Sequence, residues 1–317
     1  MSSTTDQDQT PTPPANVQEI LNEFAAGYVD SGRVTELSDP SRDQVRSFVT
    51  IWPTLPVATR RDVIREMKRQ SDEDLDVGFH RFFRQVIADE DDEVRALAIR
   101  ALWEDDTRSF LFELSELANV EESAAVQEAI ALSLESFSYQ VELDELDEES
   151  AARTQKALFH LLDNGRNWMV KRRALESASY MSRNQRVKDA IQYFYESDFE
   201  QECAGALIAM GRNLDPEWFP LVRRELKNED PDIRCEAARA AGEFGDAAVI
   251  DELARMIDDE DEEIREVSVR SIGQIGGRKA IETLRYLETR ADDELKPVVR
   301  EAIEEAEFVA ESTGLEE

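Results

Sequence analysis

Residues 230–245 read DPDIRCEAARAAGEFG, and residues 261–277 read DEEIREVSVRSIGQIGG. Both segments open on an Asp, place an Ile three positions later, continue with small residues and close on Gly. Two shorter copies of the opening are DDELK at residues 292–296 and DDEVR at residues 91–95. The same local pattern therefore recurs through much of the chain.

The apolar anchor of this pattern recurs at a nearly constant interval. Its occurrences, with one polar exception, are Val94, Val126, Val170, Glu202, Ile233, Ile264 and Leu295. The successive intervals are 32, 44, 32, 31, 31 and 31 residues. A fixed period near 31 with two helix-length apolar patterns per unit is typical of stacked antiparallel helical hairpins. The sequence predicts an all-α fold, an α-solenoid.

The local chemistry of each unit also favours two helices. The opening Asp can act as an N-cap, and the acidic residues or Pro that follow suit the first helical turn. Small residues such as Ala237 and Ala241 then lie on one face, where they allow two helices to approach closely. A second apolar pattern, with Ile250, Leu253 and Ile257, follows the Gly turn.

The segments 230–245 and 261–277 resemble HEAT-like repeats of the type first named from phycobilisome lyases. The resemblance is strongest over residues 199–304, weaker over 91–181, and before residue 90 only helical periodicity carries it. It implies a HEAT/armadillo-like superhelix. Such repeats occur in scaffolds, regulatory subunits, bilin lyases, a di-iron hydroxylase and a DNA glycosylase, so the resemblance implies the fold more than one activity.

The chain is expected to form one solenoid between polar ends. The predicted organisation is a disordered segment 1–16, a solenoid 17–309 and an acidic tail 310–317. The solenoid is expected to contain atypical N-terminal pairs 17–90, repeats 91–290 with an acidic insertion 139–150, and a capping helix 292–309. In the N-terminal pairs, helices are expected near residues 17–29, 43–52, 58–70 and 75–88. The long interval between Val126 and Val170 places the insertion in a loop.

The composition is strongly acidic. Asp and Glu number 71 against 37 Lys and Arg, which gives a net charge of −34 and a pI near 4.4. Only seven of the basic residues are Lys, and this composition is similar to that of haloarchaeal proteins; an ordinary acidic cytosolic protein is the alternative. Such a surface disfavours nucleic acid and anionic membranes. Without a long apolar run or a leader, the chain is expected to be cytoplasmic.

The same charge predicts a salt dependence of stability. Carboxylates that repel one another at low ionic strength are screened at molar salt, where the screening length falls to about 3 Å. We expect the melting temperature, followed by circular dichroism, to rise between low and molar KCl. A flat melting temperature over this range would contradict a salt-adapted surface.

No catalytic constellation is found in the sequence. The metal site of the di-iron hydroxylases is built from His-Glu pairs, and this chain has no His-Glu dipeptide; His80 and His160 are expected to pack on helices. Cys203 and Cys235 form no CxxC motif and are expected to be small core residues. The acidic runs at 89–93 and 258–263 lack the spacing of a calcium loop and are expected to be solvated turns. We predict no catalytic residue, no cofactor and no metal site.

One set of exposed positions is a candidate binding surface. Aligned at the period of 31, the predicted second helices give one column of Tyr193, Arg224, Arg255 and Tyr286, and a neighbouring column of Gln192, Arg223, Ala254 and Arg285. Arg and Tyr are over-represented among binding hot spots. The interpretation as a groove for an acidic peptide or another anionic ligand stands beside a simpler one, in which each Arg pairs with a nearby carboxylate.

These observations favour a non-catalytic scaffold or adaptor that binds another protein on a concave face lined by second helices. The alternative is a module resembling bilin lyases or otherwise associated with an enzyme, and nucleic-acid binding is a third possibility. We expect a monomer or a weak oligomer. The sequence does not identify the partner.

Overall fold

The computed structural model describes residues 16–74 and 76–313. Within these residues every regular element is an α-helix or a short 3-10 helix, so the protein is an all-α solenoid, as predicted. The described residues divide into two compact units, unit 1 up to residue 105 and unit 2 from residue 106. The expected disordered segment lies outside the described residues except for Asn16, which caps the first helix by accepting a hydrogen bond from Glu19 N at 3.2 Å.

Unit 1 is built from two layers of helices. Its helices are α1 (Val17–Ala26), α2 (Ser31–Thr35), α3 (Arg42–Ile51), α4 (Val57–Glu73), α5 (His80–Val86) and α6 (Asp92–Ala101). Helices α1, α3 and α5 pack in one layer, and α2, α4 and α6 in the other. Aromatic side chains fill the space between them: the Phe48 ring stacks on Trp52 and Phe82 at centroid distances of 4.7 and 4.3 Å.

Two helix predictions in unit 1 need correction. Between the helices expected over 17–29 and 43–52, where no helix was predicted, lies the short helix α2. The helix expected over 75–88 is α5, which begins only at His80 because residues 76–79 form an irregular segment. There the Gly78 carbonyl accepts a hydrogen bond from Asp39 N at 2.8 Å, and Gly78 N donates to Ser38 Oγ at 3.0 Å.

Unit 2 is also built from two layers of helices. Its helices are α7 (Arg108–Val120), α8 (Ala124–Ser133), α9 (Glu135–Glu142), α10 (Glu148–Asn164), α11 (Trp168–Ala178), α12 (Gln185–Tyr195), α13 (Glu200–Asn213), α14 (Phe219–Glu225), α15 (Pro231–Phe244), α16 (Ile250–Arg255), α17 (Glu262–Ile275), α18 (Gly277–Glu288) and α19 (Lys296–Thr313). The first helices of successive hairpins, α8, α11, α13, α15 and α17, pack side by side and α19 closes the row.

The predicted N-caps are present. Asp91, Asp230, Asp261 and Asp292 each accept a hydrogen bond from a backbone N–H of the following turn, at 2.9–3.2 Å. The polar anchor Glu202 lies at the equivalent position of α13, where the N-cap is Phe199 and makes no side-chain cap. The closing helix α19 extends to Thr313, beyond the predicted end at residue 309.

The acidic insertion is more helical than predicted. Instead of a loop over 139–150, residues up to Glu142 belong to α9, and α10 begins at Glu148. Asp147 caps α10 through Ser150 N at 3.0 Å, and the Tyr139 ring packs edge-on against Tyr180 at 5.8 Å. These contacts leave only residues 143–147 between the two helices.

Glycines allow the first helices to approach one another closely. A Cβ placed on Gly211 would lie 3.0 Å from Ala240 Cα, and one on Gly273 would lie 3.0 Å from Ala302 Cα. Gly242 lies one period after Gly211 and one period before Gly273, and a Cβ placed on it would lie 3.0 Å from Ser271 Cβ. The small residues predicted from the sequence therefore mark real backbone contacts between neighbouring helices.

Three of the first helices end at a residue with positive φ, which is Gly in two repeats and Leu in one. Gly245 and Gly276 have φ of 65° and 69°, and Leu214, one period earlier, has φ of 56°. A Cβ is disfavoured in this region, by roughly 1–2 kcal/mol relative to the right-handed conformation. Leu214 therefore carries local backbone strain.

We expect Leu214→Gly to be more stable than Leu214→Ala by about 1 kcal/mol, because both remove the half-exposed side chain and only Gly relieves the left-handed strain. Urea unfolding of the two variants measures this difference. Equal stability would show that the φ of Leu214 costs nothing.

The acidic runs are not simply solvated, which corrects the sequence prediction. In unit 1, the side chains of Arg60, Arg61 and Arg65 on α4 pair with carboxylates of the 89–93 run. In unit 2, Arg234 Nε donates to Asp259 Oδ2 at 3.0 Å. The runs thus fasten one repeat to the next. None of the described helices combines the length and hydrophobicity needed to cross a membrane.

Candidate partner-binding surface

The predicted column of Tyr193, Arg224, Arg255 and Tyr286 lies on the solvent-exposed side of the second helices of unit 2. Ile191, Val222, Leu253 and Leu284 are buried on α12, α14, α16 and α18. Two residues further along, about 200° around the helix, the side chains are exposed. These positions are Tyr193, Arg224, Arg255 and Tyr286.

The neighbouring column makes ion pairs with adjacent helices. Arg223 Nε donates to Glu252 Oε1 on α16 at 2.9 Å, and this hydrogen bond lowers the pKa of Glu252. Arg285 donates to Glu307 Oε1 on α19 at 2.8 Å. Both Arg side chains are exposed, but Glu252 is only 13% exposed whereas Glu307 is 44% exposed. Because an ion pair exposed on both sides contributes only about 0–1 kcal/mol, an incoming carboxylate can replace Glu307 as the partner of Arg285 at little cost.

Arg224 is part of a denser hydrogen-bond network. Its Nε donates to Glu225 Oε1 at 2.9 Å, and its guanidinium carbon lies 5.6 Å from the centroid of the Tyr195 ring. Glu225 also accepts from Tyr195 Oη and Asn228 Nδ2, each at 2.6 Å. Burial alone would raise the pKa of Glu225, but these hydrogen bonds outweigh it and lower the pKa. The network fixes Arg224 over an aromatic ring.

The remaining members of the column differ in their surroundings. Arg255 is exposed, and no carboxylate among the described residues lies within ion-pair distance of it. Tyr286 is 61% exposed beneath Arg290, whose guanidinium carbon lies 6.0 Å from the ring centroid. Tyr193 is 72% exposed and contacts only the edge of Phe194 among described aromatic rings. The column thus presents two largely exposed rings and one cation, Arg255, that makes no ion pair with the described part of the chain.

Tyr195 was not predicted to belong to this surface. One and two periods later its equivalents are Leu226 and Ile257, both buried, so the alignment placed it among core positions. The only sequence signal was a phenolic hydroxyl at a position whose equivalents in the following repeats are aliphatic. A buried phenolic hydroxyl needs a hydrogen-bond partner, which Glu225 provides.

The other candidate side chains lie elsewhere. Cys235 is buried and Cys203 half-buried, and burial raises the pKa of both thiols to about 11. His160 lies on α10, where its Nδ1 is 3.4 Å from Asn164 Nδ2. Over residues 16–74 and 76–313, no three His, Cys, Asp or Glu side chains are grouped so as to hold a metal ion.

Comparison with known proteins gives one family match. A family model described as HEAT repeats matches residues 81–179, 188–272 and 219–306. The search of curated proteins gives no match.

Three solved structures show a limited likeness to the chain. YibA of Escherichia coli is 14% identical with a TM-score of 0.42, and the match covers 77% of this chain and 95% of YibA. An engineered protein is 17% identical with a TM-score of 0.36, and the match covers 73% of this chain and 98% of that protein. Human deoxyhypusine hydroxylase in complex with glycerol is 13% identical with a TM-score of 0.33, and the match covers 93% of this chain and 97% of the hydroxylase. At these TM-scores no functional conclusion follows from the likeness.

Proposed function

This chain belongs to the HEAT-repeat family, and from that premise we propose that it is a non-catalytic scaffold that binds an acidic segment of another protein on the second-helix surface of unit 2. Helical solenoids of this kind commonly use extended surfaces for binding. The observation that carries the proposal is the column of exposed Tyr193, Arg224, Arg255 and Tyr286 on a chain of net charge −34. Cations concentrated on one surface of such a chain favour an anionic partner.

The residue types support a peptide rather than a simple counter-ion. Guanidinium groups bind carboxylates through two parallel hydrogen bonds, and Tyr rings provide apolar contact area at a low cost in conformational entropy. Arg224 is already oriented by Tyr195, while Arg285 is held only by an exposed ion pair. An extended acidic segment can therefore contact several repeats in succession.

The proposal is tested by replacing Arg224, Arg255 and Arg285 with Glu. Affinity capture is carried out from the native cell extract at near-native salt, with mass spectrometry of the eluate. The wild type is expected to capture a stoichiometric protein partner. The variant is expected to capture at least tenfold less of that partner. An absorbance scan of the same eluate reports any bound chromophore.

A matched control changes the same total charge on the other layer of unit 2. Arg239, Arg270 and Arg300 are exposed on α15, α17 and α19, and their replacement by Glu is expected to leave capture unchanged. Equal loss in both variants would show a non-specific charge effect. A coloured eluate without a protein partner would instead favour the enzyme-associated alternative.

A further inference from the structure

A cavity of about 510 Å³ lies between α3 and α5 in unit 1. Positively charged or titratable side chains dominate its lining: Arg42, Arg46, His80, Arg81 and Arg84. This grouping is unusual in a chain with 71 acidic and 37 basic residues. It lies in the unit to which the sequence assigned no binding residue.

The described ion pairs offset only part of this positive charge. Arg46 Nη1 lies 3.0 Å from Asp43 Oδ1, with both side chains at least 80% exposed, so the pair is weak. Arg81 Nη1 donates to the uncharged Pro40 carbonyl at 2.8 Å. Arg42 has no ion pair with any described residue. The cavity therefore has a net positive lining.

A buried carboxylate holds one side of the cavity in place. Asp105 is 1% exposed, and its Oδ2 accepts from Arg84 Nη1 at 2.9 Å and lies 3.0 Å from His80 Nε2. His80 was predicted to be a packed helix residue, but its side chain is 55% exposed. Groups fixed before binding lose less conformational entropy when a ligand arrives.

We propose that this cavity binds a phosphate monoester. Several guanidiniums around one open surface pocket suit a small anion with three acceptor oxygens, and Arg matches phosphate geometry with two parallel hydrogen bonds. The volume lies within the range of small-molecule sites. An extended acidic peptide would need a longer groove, which supports the compact anion. The phosphate can come from a small metabolite or from a phosphorylated side chain.

The test is calorimetric titration of the full-length protein with inorganic phosphate and with a phosphoserine peptide beside its unphosphorylated form. The lowest KCl concentration that preserves the helical signal is used throughout. Saturable, phosphate-dependent binding is expected in the wild type. Arg42→Gln, combined with Arg81→Gln, is expected to weaken it at least tenfold.

Arg42→Gln alone removes no described contact, so it tests the site even where the double variant is unstable. The matched control is Arg65→Gln with Arg69→Gln, two exposed side chains on α4 in the other layer. Binding equal in the wild type and in Arg42→Gln, or no saturable binding at all, overturns the proposal. Binding of a Glu-rich peptide without binding of phosphate also overturns it.

The two sources give different results within a positive outcome. A phosphopeptide that binds more than tenfold tighter than inorganic phosphate supports a phosphorylated side chain. Equal affinity for both supports a phosphorylated small molecule. Neither result depends on the second-helix surface of unit 2, so this proposal and the scaffold proposal can fail separately.

Discussion

Replacing Asp89 with Ala is expected to lower the free energy of unfolding by about 3–5 kcal/mol. Asp89 and Arg60 are each only 3% exposed, and Arg60 Nη1 lies 2.8 Å from Asp89 Oδ2. The same carboxylate accepts from Trp52 Nε1 at 2.6 Å and from Asp91 N at 2.9 Å. Removing it leaves a buried guanidinium without its main counter-charge and a buried indole N–H without its acceptor.

Arg60 has little other compensation for the loss. Its Nε is buried without a hydrogen-bond partner among the described residues, and its second carboxylate, on Glu90, is 76% exposed. A buried charge that loses its partner costs far more than the intact pair contributes, because the remaining ion stays desolvated. The expected loss therefore reflects the stranded Arg60.

Glu90→Ala is the matched control, since it removes a carboxylate from the same guanidinium at an exposed position. Its expected cost is below about 1 kcal/mol. Urea unfolding of both variants at low and molar KCl checks the argument, because salt screens exposed pairs and has little effect on buried ones. Similar losses in the two variants would refute the buried-pair interpretation.

The acidic run at 89–93 shows where sequence reasoning stopped. Composition and spacing predicted a solvated turn, and they did not show that the Asp89 side chain is buried. Burial depends on α4, whose Arg60 and Arg61 lie 29 and 30 residues before their partners Asp89 and Asp91. A search for Arg about one period before this run would have detected its pairing with Arg60 and Arg61.

The repeated part of the fold was predictable because local chemistry and tertiary packing agree there. An Asp at the N-cap, an apolar anchor three residues later and a Gly at the end each have a local cause, and their period identifies the stacking. Where the pattern weakens, the predictions weaken too. The start of α5 is set by contacts of Gly78 with Ser38 and Asp39, 40 and 39 residues away, which no local pattern encodes.

The candidate surface was predictable in position and not in detail. Helical periodicity alone places Tyr193, Arg224, Arg255 and Tyr286 on the exposed side of the second helices. The side-chain partners are a different matter, since a guanidinium can reach several carboxylates in so acidic a chain. Arg223 pairs with Glu252 and Arg285 with Glu307 because the spacing of the helices brings these side chains together.

Replacing Gly273 with Val is expected to destabilise unit 2 by about 3 kcal/mol or more, because no space exists for the added atoms. A Cβ on Gly273 would already lie 2.9 Å from the Ala302 carbonyl oxygen and 3.0 Å from its Cα. These are backbone atoms of α19, so relief requires moving one helix away from the other. Even Gly273→Ala is expected to cost about 1–2 kcal/mol despite the better helix propensity of Ala.

Gly205→Ala is the matched control within α13. Its Cβ would lie 2.9 Å from Cγ of Arg172, whose Nε donates to the buried Glu176 carboxylate at 2.7 Å, so a side chain must shift but no helix has to move. The gain in helix propensity, up to about 1 kcal/mol, offsets part of this adjustment, and the net cost is expected to be smaller than that of Gly273→Ala. Urea unfolding of the three variants provides the comparison. If Gly273→Ala proves as stable as Gly205→Ala, the close approach of α17 and α19 does not limit the packing of the first helices.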